Sequence, residues 1–267
     1  MKQTNDDVIV NNVGKNWFDD VLLADFVSTF YGYGDYNAPY WFVSMEEGSG
    51  KHFDDVEKQL SAWDKRGRQE LEDVAEFHRA IGLGQYFDEK PPLEPTWSKL
   101  IRILLSVEGQ LSSREGPDQQ KEKVRAYQRD SLGRVQGGTN CLIELLPLLR
   151  ASRSLKDWKY AEHSGLPYFS DPKTYEKYYM PKRAERIREL VNQRRPHVVV
   201  FYSVDRVCLK WWMHITDAPF SYDTTSKTFI ARRDGILFLV TSHPAAKRIE
   251  NEYFHGVRRL IAGELGK

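Results

Sequence analysis

The chain has 267 residues, of which 40% are apolar, 13% aromatic and 29% charged. This composition excludes a disordered, collagen-like or coiled-coil protein, and the length fits one large or two small domains. The formal net charge of +1 hides a split: residues 1–100 carry 10 basic and 19 acidic side chains (−9), residues 101–267 carry 29 basic and 19 acidic (+10), and such asymmetry points to an anionic partner.

In chain order, the N-terminal MKQTNDDVIVNNVGKN has no apolar run of signal-peptide length. No stretch approaches the roughly 18 apolar residues of a membrane span. The first apolar run is YWFVSM (40–45). It is followed by a helical pattern at 54–80, in which Val56, Leu60, Trp63, Leu71, Val74 and Phe77 recur mostly at steps of three and four, with a break expected near Gly67. Thr96 is placed to cap a helix running to Leu105, and a charged surface helix is expected over 117–131. The second apolar run is TNCLIELLPL (139–148), then a long basic helix at 173–194, a third run HVVVFYSV (197–204), a helix at 204–215, a fourth run ILFLVTSHP (236–244) and a last helix at 248–262.

Several of the four runs are apolar without alternation, the pattern of strands covered on both faces. Strands alternating with helices predict a three-layer αβα fold around a central, mostly parallel, four-stranded sheet. We expect one domain over 1–267 with a helical insert at about 51–130. The two cysteines, Cys141 and Cys208, lie in no CxxC pair. They are too few for an iron–sulfur cluster and unsuited to structural zinc. A reducing, cytoplasmic setting fits them.

Open α/β sheets bind ligands beyond the carboxyl ends of their strands, so the segments that follow each strand carry the candidates. After the first strand comes Ser44-Met45-Glu46-Glu47-Gly48-Ser49-Gly50. Two adjacent carboxylates and two glycines suit close approach to a ligand, and equally suit a solvated acidic loop. The following Gly48-Ser49-Gly50-Lys51 fails the phosphate-loop pattern, because Met45 stands at the first glycine and His52 at the magnesium-binding hydroxyl, so ATP binding is rejected. Asn140, at the start of the second strand, has a carboxamide fit to read a base edge or to cap its own turn. The fourth strand ends in Ser242-His243-Pro244-Ala245-Ala246-Lys247-Arg248, where His243 can donate to a developing anion and the basic pair can meet phosphate.

Together SMEEG (44–48), TN (139–140) and HPAAKR (243–248) resemble, in order and strand context, the motifs of the uracil-DNA glycosylase superfamily. The resemblance implies a monofunctional DNA glycosylase, monomeric and without metal or cofactor, that flips a pyrimidine out of DNA and leaves an abasic site. It implies catalytic roles for Glu46 or Glu47 on the attacking water and for His243 on the leaving base. It also implies pyrimidine recognition by Asn140, and DNA contact by Lys247 and Arg248. An aromatic side chain should stack on the base, with Phe53, Trp63, Tyr33, Tyr36 and Tyr40 as candidates. Glu47 replaces the usual Pro of the first motif, which leaves open which Glu is catalytic, and HPAA replaces HPSP. Gly48 stands where the strict uracil branch has a Tyr crowding C5, so a C5-substituted pyrimidine is the expected substrate beside uracil. The acidic insert at 51–95 is expected to shape an enlarged pocket, and modified phage DNA would supply bulky bases. Two other readings stay open: a non-catalytic nucleic-acid-binding protein of the same fold, and a nucleotide hydrolase using Glu46 and Glu47.

Overall fold

A computed structural model describes residues 17–46, 48, 52–112, 114–150, 157–246 and 251–266. The described elements run α1 (Asp20–Thr29), β1 (Gly32–Gly34), β2 (Tyr40–Glu46), α2 (Phe53–Lys65), β3 (Leu71–Glu72), α3 (Val74–Ala80), α4 (Pro95–Val107), α5 (Pro117–Asp130), β4 (Asn140–Leu146), α6 (Tyr160–His163), α7 (Pro172–Arg194), β5 (Val198–Phe201), α8 (Arg206–Thr216), β6 (Ser221–Asp223), β7 (Thr228–Arg233), β8 (Ile236–Val240) and α9 (Asn251–Glu264).

The fold is mixed α/β, but its sheet has eight strands and not the four expected. The order is β3-β1-β4-β2-β5-β8-β7-β6. The four apolar runs form the parallel centre, β4-β2-β5-β8. On one side β1 joins β4 antiparallel and carries β3. On the other, β7 returns antiparallel along β8 and β6 closes the edge. The centre was legible because β4, β5 and β8 are buried at every position, which selects uninterrupted apolar sequence. The additional strands are short or half-exposed, so they carry little periodicity.

Strand β1 depends on its glycines. A Cβ at Gly32 would stand 2.1 Å from the Leu142 carbonyl oxygen, and one at Gly34 would stand 2.4 Å from that of Asn140. Only residues without a side chain allow β1 this close to β4. The step from β2 to β4 crosses the sheet in one direction and the step from β4 to β5 in the other. Right-handed crossovers therefore send the connecting helices to opposite faces. Accordingly α7 packs with α1, β4 and α8, while α4 packs with α5 and α9.

Local sequence sets the helix limits. The 54–80 pattern divides into α2 and α3, with Gly67 in the left-handed region at φ 89° between them. Helix α4 begins at Pro95 and its cap is Glu94, whose carboxylate accepts from the Trp97 N–H, so the expected Thr96 cap is corrected. Proline at the first helical position needs no N–H partner, and the start lies two residues earlier than a Thr96 cap would give. Among the described residues no helix is long and apolar enough to cross a membrane.

Candidate active site

Parallel strands reverse order around β2: β4 lies on one side of it and β5 on the other. A cleft of about 390 Å³ opens beside the carboxyl ends of β2, β5 and β8, where such a reversal splays the following loops. Four residues singled out in the sequence meet there: Glu46, Gly48, His243 and Tyr33.

Glu46 is the last residue of β2. Its Oε2 accepts from Arg150 Nη1 at 3.2 Å, and the same nitrogen donates to Glu176 Oε1 at 2.9 Å. Arg150 is almost fully buried, so the Glu46 carboxylate is held at the cleft by a fixed cation shared with a second carboxylate. Strand alternation puts Ser44 on the same face as Glu46. Glu144 of β4 pairs with Ser44 in the ladder and therefore shares that face. It lies on the cleft floor, although only 7% exposed.

His243 follows β8. Its Nδ1 accepts from the Ala245 backbone N–H at 3.1 Å. In the neutral ring that leaves the proton on Nε2. Desolvation of the ring, with the Lys99 ammonium nearby, holds its pKa below the usual imidazole value, so the neutral donor form dominates at neutral pH. Lys99 Nζ donates to the Pro244 carbonyl and ties α4 to this turn. The Tyr202 ring, just beyond β5, meets His243 edge-on at 5.5 Å. Two strand spacings separate the ends of β2 and β8, about 10 Å between backbones, which leaves room for a ring between the carboxylate and the imidazole.

The far wall comes from residues 78–97, so the expectation that the insert shapes the pocket holds for its C-terminal part. His78 donates from Nδ1 to the Val74 carbonyl at 2.7 Å, and burial lowers its pKa to about 4. Its Nε2 is therefore an acceptor at neutral pH. The Trp97 ring packs edge-on against it at 5.2 Å, and Tyr33 and Tyr86 also line the cleft. Burial raises the pKa of Glu94 on the same wall.

Other sequence candidates fall elsewhere. Asn140 begins β4, beside Tyr40 and at the opposite end of the ladder from Glu46. Its side chain is fully buried: Oδ1 accepts from the Gly133 N–H at 2.8 Å, and Nδ2 donates to Tyr127 Oη and the Ser131 carbonyl. Burial pushes the Tyr127 hydroxyl up to about 12, so it stays protonated. The expected role of Asn140 at the base is therefore corrected to an internal tie, since both its polar atoms are engaged away from the cleft. Phe53 stacks on Phe18 at 4.5 Å and packs against His163, and Trp63 is fully buried with its indole N–H on the Gln69 carbonyl. Neither lines the cleft. Tyr36 packs on Trp41 and Tyr40 sits at the far end of β2, which leaves Tyr33 as the one named aromatic in the cleft. Glu47, Lys247 and Arg248 lie outside the described residues.

Sequence reasoning missed Glu144, His78, Trp97 and Tyr202. Glu144 had a readable signal, a carboxylate in the middle of an otherwise apolar strand (NCLIELL). Tyr202 had one too, as the first residue after the third strand. Among the described residues no group of three or more His, Cys, Asp or Glu side chains is placed to hold a metal ion. No protein-family model matches the chain, and no curated protein sequence matches it significantly.

Proposed function

We propose that the protein is a DNA glycosylase that hydrolyses the N-glycosidic bond of a flipped-out pyrimidine, either uracil or a C5-substituted base. The observation that carries this reading is the convergence of Glu46 and His243 on one aromatic-walled cleft, from the ends of strands on either side of β5. Glu46 orients the attacking water and receives its proton as the oxygen bonds to C1′ of the sugar. The bond from C1′ to the base nitrogen breaks, and the electron pair leaves with the base. The Nε2–H of His243 donates to the anion that develops on that base. The negative carboxylate also stabilises the oxocarbenium-like sugar. With Asn140 turned inward, recognition of the base edge falls to Glu144 and to Nε2 of His78. Both accept hydrogen bonds, and so meet ring or exocyclic N–H groups. Tyr33, Tyr86 and Trp97 supply faces and edges for the ring.

The test is incubation of oligonucleotides carrying a single uracil, thymine or 5-substituted pyrimidine, followed by hot alkali. The wild-type protein is expected to leave an alkali-labile abasic site with at least one of these. Glu46→Gln should slow the reaction by about 10²- to 10⁴-fold, and Glu47→Gln, made in parallel, should not. No cleavage of any substrate, or full activity in Glu46→Gln, overturns the reading.

A further inference from the structure

A second cavity, of about 80 Å³, lies between α4 and α9. A water molecule's share of liquid is about 30 Å³, so this groove suits a compact group of a few heavy atoms. Lys99, Arg102 and Ser106 line it from α4, and His255 and Arg258 from α9. Steps of three and four put each set on one helical face, so the two faces present cations to one another. No Asp or Glu is among the described residues that line it.

Arg102 is the most telling of these side chains. It is half-buried, and its Nη1 donates to Gln120 Oε1 at 3.1 Å, a neutral acceptor. Desolvation alone moves its pKa, downward, with no carboxylate acting against it. Arg258 reaches the groove from α9 and donates to Ser106 Oγ of α4 at 3.2 Å. Holding the Arg102 guanidinium partly out of water beside a neutral acceptor is costly, and a bound anion relieves that cost. The groove also adjoins the cleft. Trp97, on the cleft wall, precedes Arg102 by five residues of the same helix, about 7.5 Å along its axis. Lys99 bridges the two through the Pro244 carbonyl beside His243.

We propose that this groove binds one phosphate group, the phosphodiester of the nucleic-acid strand whose base enters the cleft; the choice of phosphodiester rests on the glycosylase reading. The strand then lies along α4, with its base against Trp97 and its backbone held by Arg102 and Arg258.

The full chain is titrated with a fluorescein-labelled single-stranded oligonucleotide by anisotropy at several salt concentrations, and with inorganic phosphate by calorimetry. Arg102→Gln is expected to weaken oligonucleotide binding about tenfold, the loss of one charge-assisted contact. It should also flatten the plot of log affinity against log salt by about 0.7. Arg102→Lys keeps the charge and is expected to retain the wild-type salt slope, which separates a lost contact from a folding defect. Inorganic phosphate should compete with the oligonucleotide on the wild-type protein and not on Arg102→Gln. Unchanged affinity and slope in Arg102→Gln overturn the proposal. Binding of inorganic phosphate without any oligonucleotide binding overturns the phosphodiester assignment and makes free phosphate the ligand. The glycosylase reading fails separately: absence of alkali-labile product with Arg102-dependent binding intact sinks that reading alone, and product formed with binding indifferent to Arg102 sinks the groove alone.

Discussion

A Cβ built at Gly48 meets nothing within 4 Å. The residue lines the cleft, so its missing side chain is space given to whatever enters. Gly48→Tyr should fold normally and fill that space. It is expected to slow excision of a 5-substituted pyrimidine by about tenfold to a hundredfold while sparing uracil, read as rates on matched oligonucleotides. Equal slowing on both bases would show that position 48 does not lie beside C5. Asn140 teaches the opposite lesson at the same scale. A carboxamide at a strand end looked fit to read a base, yet its partners are the chain's own Gly133, Tyr127 and Ser131. The type of a side chain gives its hydrogen-bonding capacity. Which end of the strand it occupies decides what it meets.

Helix α7 packs an apolar face that includes Ile187, Leu190 and Val191, and one polar side chain within it reaches the sheet. Arg183, 1% exposed, donates to the carbonyls of Leu145 and Glu144 after crossing to β4, and to those of Val27 and Phe30 at the end of α1. Its guanidinium also lies over the Tyr31 ring at 4.0 Å. A lysine has one nitrogen and no fork. Arg183→Lys is therefore expected to cost about 3 kcal/mol, because buried carbonyls lose their donors, measured by urea denaturation; a change within 0.5 kcal/mol or so, the ordinary surface range, would show that the four contacts contribute little. The elements divide by how they were legible. Apolar runs named the four parallel strands, and spacing or charge marked the helices from α2 to α9 except the four-residue α6, with α2 and α3 read as one pattern. Helix α1 has the same spacing in Leu23, Phe26 and Val27, so it too can be read. Strands β1, β3 and β6 span three, two and three residues. Their pairing rests on backbone bonds and on the glycines of β1, neither of which leaves a period. For the cleft, the residues at strand ends were legible. Glu144, His78 and Trp97 reach it across a strand face and through packing of the insert, a tertiary fact.

Over the whole molecule the charge split takes on a second meaning. Arg186 pairs with Glu70 and Arg150 with Glu46, while Arg188 pairs with Glu185 and Arg183 is buried. Part of the positive excess of the second segment thus neutralises the first, and the basic helix α7 is less a free anion-binding face than its sequence suggests. Acid stability follows from the buried groups. The His78 pKa is lowered to about 4, so its contribution is present above the ordinary imidazole value near 6.5 and is lost as pH falls through about 4, an effect of about 3 kcal/mol. Glu72 and Glu94 act the other way: burial raises their pKa values, so their cost is relieved on protonation. The difference between wild type and His78→Gln in urea midpoint, taken from pH 7 to pH 4, isolates the histidine. The variant is expected to lose less stability on acidification, and parallel curves would assign the effect elsewhere. Finally, the cleft joins Tyr33 to His243, 210 positions apart, and β8 sits in the middle of the sheet between β5 and β7. As the chain leaves the ribosome, β2, β4 and β5 can pair while His243 is still unmade. The cleft is completed only when one of the last strands to be synthesised slots between its neighbours, so a nascent chain has no finished cleft until then.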